Sequence, residues 1–137
     1  MIRYLLDTNI ISEIHKPKPH GAVIAWFLGL RDEQVCLSAV TLGELQDGIE
    51  RTRIRDAPKA SAIEEWVNEL ENSSTVLPMD ARCLRETARM MVGKQDDLFN
   101  DVMIAATARL NNLTIATRNE KDFKDLPVDI VNPFKSK

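Results

Sequence analysis

Three acids stand where an acid needs a reason. Asp7 follows the apolar run Ile2 to Leu6, and the carboxyl ends of strands are where open parallel sheets bind ligands. Because Asp7-Thr8-Asn9 also leads into a helical segment, capping accounts for Asp7 equally well. Asp101 precedes Val102-Met103-Ile104-Ala105-Ala106-Thr107-Ala108, which is apolar on nearly every side and so bound for the core. A carboxylate at the edge of such a helix is costly unless paired or metal-bound. The positions three and four away hold Asp97, Leu98, Ile104 and Ala105, and none can pair with it. Asp96 and Asp97 themselves read as helix N-caps. Glu44 closes Thr41-Leu42-Gly43-Glu44, a capping-box pattern that explains it without any function. Yet the strand Val35-Cys36-Leu37-Ser38 ends just before this helix, which brings Glu44 to the same sheet edge as Asp7.

A fourth contribution comes from Thr114-Ile115-Ala116-Thr117, which delivers Thr117, Arg118 and Asn119 to that edge, with Asp122 in the loop beyond. Asn119 also suits a turn, and Asp122 a solvated loop. Carboxylates converging from different elements repel one another unless a hard divalent cation lies among them. The expected ion is magnesium, with manganese as its substitute, and its expected ligands are Asp7, Glu44, Asp101 and Asp122. A cation held by oxygens can activate water for in-line attack on a phosphodiester and stabilise charge on phosphate oxygens. Histidine is not needed for that chemistry, and His15 and His20, which flank Pro17 and Pro19, read as surface residues. Aspartyl-phosphate chemistry would want a second acid two places after Asp7, where Asn9 stands.

The elements that must position these groups alternate between short β-branched or apolar runs and longer stretches of helical period, the signature of an α/β fold with a mainly parallel sheet. Strands are predicted at 2–6, 35–37, 75–77 and 114–117, with a last short one at 129–131. Helices are predicted at about 9–13, 22–30, 42–53, 58–71, 81–92 and 98–111. The break Lys16-Pro17-Lys18-Pro19 separates the first two helices. Asp80 caps the fifth, and Asp56-Ala57-Pro58 puts proline where an early helical position tolerates it.

With 137 residues, 44% of them hydrophobic, the chain has the size and core of one domain spanning 1–137. No apolar run reaches the roughly 18 residues of a membrane span, and a cytoplasmic location is expected. Cys36 and Cys83 lack CxxC spacing and read as reduced packing residues. A net charge of −3 argues against a protein that coats nucleic acid through its overall field. Local contact remains open: Arg51, Arg53 and Arg55 are candidate phosphate contacts on RNA, although a solvated helix end explains them too.

The segments LLDTNIISE, SAVTLGEL and NDVMIAATARLNNLTIATRNEKDF, in that order and spacing, resemble the PIN-domain family and within it the VapC and FitB toxin branch of toxin-antitoxin pairs. The resemblance spans nearly the whole chain, and its last motif is the most specific. It implies a PIN-like three-layer α/β/α domain around a sheet of four or five short strands. It further implies a magnesium-dependent endoribonuclease, neutralised by a cognate antitoxin protein and assembled as a homodimer or a higher toxin-antitoxin complex, with DNA reached only through the antitoxin. The alternative within the same kinship is a FitB-like subunit of a DNA-binding autoregulatory complex with little or no nuclease activity. Carried over by motif, Asp7, Glu44 and Asp101 match the metal-binding acids, Thr117 a nearby hydroxyl, and Asn119 the fourth polar position. Many relatives have an aspartate there, and Asp122 is the other source of that charge. An antitoxin segment is expected to cover a groove beside the acids, with Trp26, Phe27 and Leu30 as candidate contacts if they are not core.

Overall fold

The computed structural model describes residues 1–135. Five short strands, β1 (Tyr4–Leu6), β2 (Val35–Ser38), β3 (Thr75–Leu77), β4 (Thr114–Ala116) and β5 (Ile130–Val131), form one sheet in the order β3-β2-β1-β4-β5. Every pairing is parallel, with Leu5 in register with Cys36 on one side and Ile115 on the other. A strand paired on both sides and covered on both faces has no solvent side, so β1 and β2 are continuous apolar runs.

Successive side chains still go to opposite layers. Leu5, Cys36 and Ile115 join Val102, Ile104, Ala105 and Phe123 in one core. Leu6, Val35, Leu37 and Ala116 join Ile10, Ile11 and Val23 in the other. The first core is roofed by α5 (Ala81–Met90), α6 (Phe99–Leu110) and the short α7 (Glu120–Phe123). The second is roofed by α1 (Thr8–His15), α2 (Gly21–Leu28), α3 (Ala39–Arg55) and α4 (Ala57–Ser73). The result is the expected three-layer α/β/α domain, with all five strands parallel. Trp26, Phe27 and Leu30 pack on the second core, where Trp26 meets the Tyr4 ring edge-on at 5.1 Å.

The chain first builds outward from β1 through β2 to β3, then returns to pair β4 against the other side of β1. The direction of winding therefore reverses between β1 and β4. Such a switch point opens a crevice at the carboxyl ends of the two strands, the usual seat of a ligand in open α/β sheets.

Several boundaries differ from the sequence expectation, each for a local reason. The helix after β2 starts at Ala39, not Leu42, because Ser38 Oγ accepts from the Val40 backbone N–H at 3.1 Å and caps it first. The capping box Thr41 to Glu44 therefore does not form. Thr41 lies inside the helix, fully buried, with no hydrogen-bond partner for its hydroxyl among the described residues. Asp96 and Asp97 are not caps either: they begin a 3-10 turn, Asp96–Leu98, and α6 has no side-chain cap. Helix α1 runs on to His15 before the prolines stop it. Asp80 caps α5 as expected, Asp56 caps α4 one residue ahead of the expected start, and Cys36 and Cys83 are buried free thiols.

Candidate metal centre at the β1–β4 crevice

Asp7 is the first residue past β1, and its backbone N–H donates to the Ala116 carbonyl at 2.9 Å, tying it to the end of β4. Its two carboxylate oxygens divide the work. Oδ1 accepts from the Thr8 N–H at 2.9 Å and caps α1, while Oδ2 accepts from the Thr117 hydroxyl at 2.8 Å and the Asn9 amide at 3.1 Å. Capping and a place in the site are therefore both served by one buried carboxylate. Burial pushes its pKa above the ordinary aspartate value, the three hydrogen bonds pull it back, and the charge of Asp122 adds to the rise.

Asp101 stands in the first turn of α6, half-buried, with no side-chain hydrogen bond among the described residues. Its carboxyl is pushed up to about 6, first by burial and then by the charges of Asp7, Asp122, Glu44 and Asp97. That list of neighbours is the main electrostatic fact of the site. Acids from the β1–α1 junction, α3, α6 and α7 lie close enough to destabilise one another's ionised forms. None of them enters an ion pair among the described residues; the Lys and Arg bridges there go to other acids.

Glu44 sits in the second turn of α3, where its Oε1 accepts from the Thr8 hydroxyl at 2.7 Å. Thr8 was not singled out in the sequence, and neither was Asn9. Asn9 bridges the site: its amide donates to Asp7, and its carbonyl oxygen accepts from the Arg118 N–H at 3.1 Å. The only advance signal was their position directly after an acid that ends a strand.

Thr117 is fully buried and acts twice, since its hydroxyl oxygen also accepts from the Asn119 N–H at 3.0 Å. The Asn119 side chain is exposed, and it makes no capping bond to α7 although it occupies the N-cap position. Asp122 lies in α7, in a segment expected to be loop, and its charge is felt at both Asp7 and Asp101. Of the two candidates for the fourth polar position, Asp122 carries a charge that reaches the acids, and Asn119 meets Thr117 through its backbone N–H. The three arginines are elsewhere. They lie toward the far end of α3, roughly 10 to 16 Å along the helix from Glu44. Arg51 bridges Asp47 at 2.8 Å, and Arg53 bridges Glu50 and Glu64 at 3.1 and 2.7 Å.

The donor set is four carboxylates and two hydroxyls, hard oxygens without histidine or thiolate, which suits magnesium or manganese and not zinc. Among the described residues no three His, Cys, Asp or Glu side chains are gathered closely enough to grip an ion as they stand. Glu44 is held on Thr8 by its hydrogen bond, and like charges brought together without a cation disfavour one another's ionised forms. The donors fit in kind, and the charges of Asp7, Asp122 and Glu44 all reach Asp101.

Residues 4–129 match the PIN domain model, and the chain belongs to this family. It is 34% identical to the VapC ribonuclease Y4jK of Sinorhizobium fredii, over 96% of this chain and 97% of that protein. It is likewise 34% identical to Toxin FitB of Neisseria gonorrhoeae, over 95% and 97% of the two chains. Among solved structures, a chain of FitAcB from Neisseria gonorrhoeae superimposes with a TM-score of 0.85 at 33% identity, covering 96% of this chain and 99% of that one. A chain of FitAB bound to an IR36 DNA fragment does so at 0.81 and 29% identity, covering 98% and 97%.

Proposed function

We propose that this chain is the toxin of a toxin-antitoxin pair and acts as a magnesium-dependent endoribonuclease. One observation carries the reading. Asp7, Glu44, Asp101 and Asp122 gather at the switch point without a basic partner, and burial together with the charges of the other acids pushes the Asp101 carboxyl up to about 6. Asp7, Asp101, Glu44 and Asp122 would hold the ion. When bound, magnesium supplies a Lewis acid for a phosphate oxygen and a more acidic water.

The protein's own residues do the rest. Thr117 and Asn9 orient the Asp7 carboxylate by donating to a single oxygen, and an oriented ligand keeps its geometry when the ion arrives. Thr8 stores Glu44 next to the crevice. Asp101, whose carboxyl is pushed up to about 6, would hold the ion in its ionised form. The exposed Asn119 amide would contact substrate, and Arg55, which enters no ion pair among the described residues, is the member of the arginine trio that would meet a phosphate.

The antitoxin reading rests on kinship and on a groove. Between α1, α3 and α4 lies an apolar trough lined by Thr8, His15, Leu45, Ile49 and Trp66, with Glu44 at its end. A partner segment lying there with a basic side chain at its end would meet the acids directly. Trp26, Phe27 and Leu30 pack against the second core but are only partly buried, and they remain candidate contacts. The FitAB–DNA complex favours a second reading, in which the chain belongs to a DNA-bound assembly. With a net charge of −3, the chain would reach DNA through its partner.

The deciding experiment is cleavage of total RNA and of a tRNA panel by purified, antitoxin-free protein, with magnesium, with chelator, and with Asp101→Asn. Cutting that needs magnesium and is lost in Asp101→Asn supports the nuclease. No cutting by folded protein, together with Asp7→Asn losing magnesium but still binding its partner, overturns it in favour of the assembly role.

A further inference from the structure

The acid cluster raises a question it does not answer: what draws a polyanion to four carboxylates? We infer that Arg118 is the residue that holds an RNA phosphate at the mouth of the crevice, an inference that rests on the nuclease reading above. Arg118 follows Thr117 directly, and its backbone N–H is fixed by Asn9, whose amide is bonded to Asp7. Two hydrogen bonds thus separate its main chain from a metal-site carboxylate.

Its side chain is exposed yet held. The guanidinium carbon lies 4.4 Å from the centroid of the Phe134 ring. Stacking on an aromatic face occupies the plane of a guanidinium and leaves its edge of N–H donors pointing outward, the fork that matches two phosphate oxygens. Arg118 enters no ion pair among the described residues, unlike Arg51 and Arg53.

The shelf beneath it is itself fixed. Asn132 donates to Glu120 Oε2 at 2.9 Å and accepts from the Phe134 N–H at 3.0 Å, so the 3-10 turn Pro133–Lys135 is pinned to the start of α7. On its other flank Phe134 meets the His20 ring at 5.1 Å. A cation ordered before binding loses less entropy on taking a ligand, and elaborate support for an exposed arginine serves little purpose if it only decorates the surface.

The test uses unfractionated tRNA as the probe. In the Asp101→Asn background, which leaves the RNA intact, Arg118→Ala should weaken binding about tenfold and make the slope of log K against log salt shallower by about one. In the active chain it should raise KM about tenfold and change kcat much less. Phe134→Leu keeps the apolar filling but removes the aromatic face, and should give a smaller loss of roughly threefold. Unchanged KM and salt slope in a folded Arg118→Ala protein, whether or not its melting temperature falls, would reduce Arg118 to a surface staple and overturn the inference. Should Arg118→Ala fail to fold, Arg118→Lys decides: a retained salt slope with KM raised several-fold supports the fork, and an unchanged KM overturns it. If the unsubstituted chain cuts nothing, the nuclease reading fails and this one with it; if it cuts and Arg118→Ala cuts identically, only the inference about Arg118 falls.

Discussion

The Thr117 hydroxyl donates to Asp7 Oδ2 at 2.8 Å across 110 positions of sequence, in full burial. It joins the end of β4 to the end of β1 at the point where the sheet reverses direction, and it is the strongest pull holding the Asp7 carboxyl down against burial. Thr117→Val keeps the shape and removes the donor. Magnesium affinity should fall about 10-fold, in the range expected for loss of an outer partner of a metal ligand, and stability by about 1–3 kcal/mol. Titration calorimetry with magnesium and urea unfolding measure the two, and Thr117→Ser should restore most of both.

Asp101 contributes a pH dependence of definite sign to the metal-free protein. Its folded pKa of about 6 lies above the ordinary 3.8, so between those values the folded state binds more protons than the unfolded one, and stability falls as pH rises from about 4 to about 6. Asp101→Asn removes that penalty. In chelator at pH 7.5 the variant should be more stable than the parent by on the order of 1–2 kcal/mol, allowing for solvent screening at this half-buried site, and the gap should close by pH 4. Urea unfolding at both pH values checks it, and a gap independent of pH would contradict the assignment.

Magnesium should protect the fold in proportion to the deprotonated acid. A ligand that binds only the native state stabilises by RT ln(1 + [L]/Kd), and a proton on Asp101 competes with the ion. The rise in melting temperature on adding magnesium should be clear at pH 7.5 and much smaller at pH 5. Equal shifts at both values would mean that the ion binds elsewhere.

Phe123 is 1% exposed and joins the core that also takes Leu5, Ile104 and Ile115. It is the residue after Asp122 and anchors α7, so Phe123→Ala should cost about 3–5 kcal/mol and also weaken magnesium binding through a loosened Asp122. Circular dichroism melts and a magnesium titration would show both losses; a stability loss alone would detach Asp122 from the site.

What the sequence conveyed well was whatever depends on local pattern. Apolar runs of three to five residues located all five strands, and the unpaired Asp101 could be seen because its helical neighbours are fixed by geometry. Helix starts were harder. Ser38 and Thr41 are both good caps, and the choice between them depends on where β2 releases the chain. Thr8 and Asn9 could not be read ahead because their partners, Glu44 and Arg118, lie 36 and 109 positions away. The arginine trio drew notice as a cluster, whereas the lone Arg118 gained meaning only once Phe134 was seen beneath it.

The order in which the acids occur along the chain has a temporal consequence. Asp7 and Glu44 leave the ribosome early, but the sheet puts β4 beside β1, so the crevice has no second wall until residues beyond 116 have been made. At ~5–20 residues per second, the stretch from Glu44 to Asp122 takes about 4 to 16 seconds to synthesise. Through that interval the nascent chain carries only part of the acid cluster, and a fragment cut short before α7 lacks Asp122 and, on the proposed function, its share of the metal site. On the proposed function, a cell making this protein would meet its activity only at the end of each round of translation.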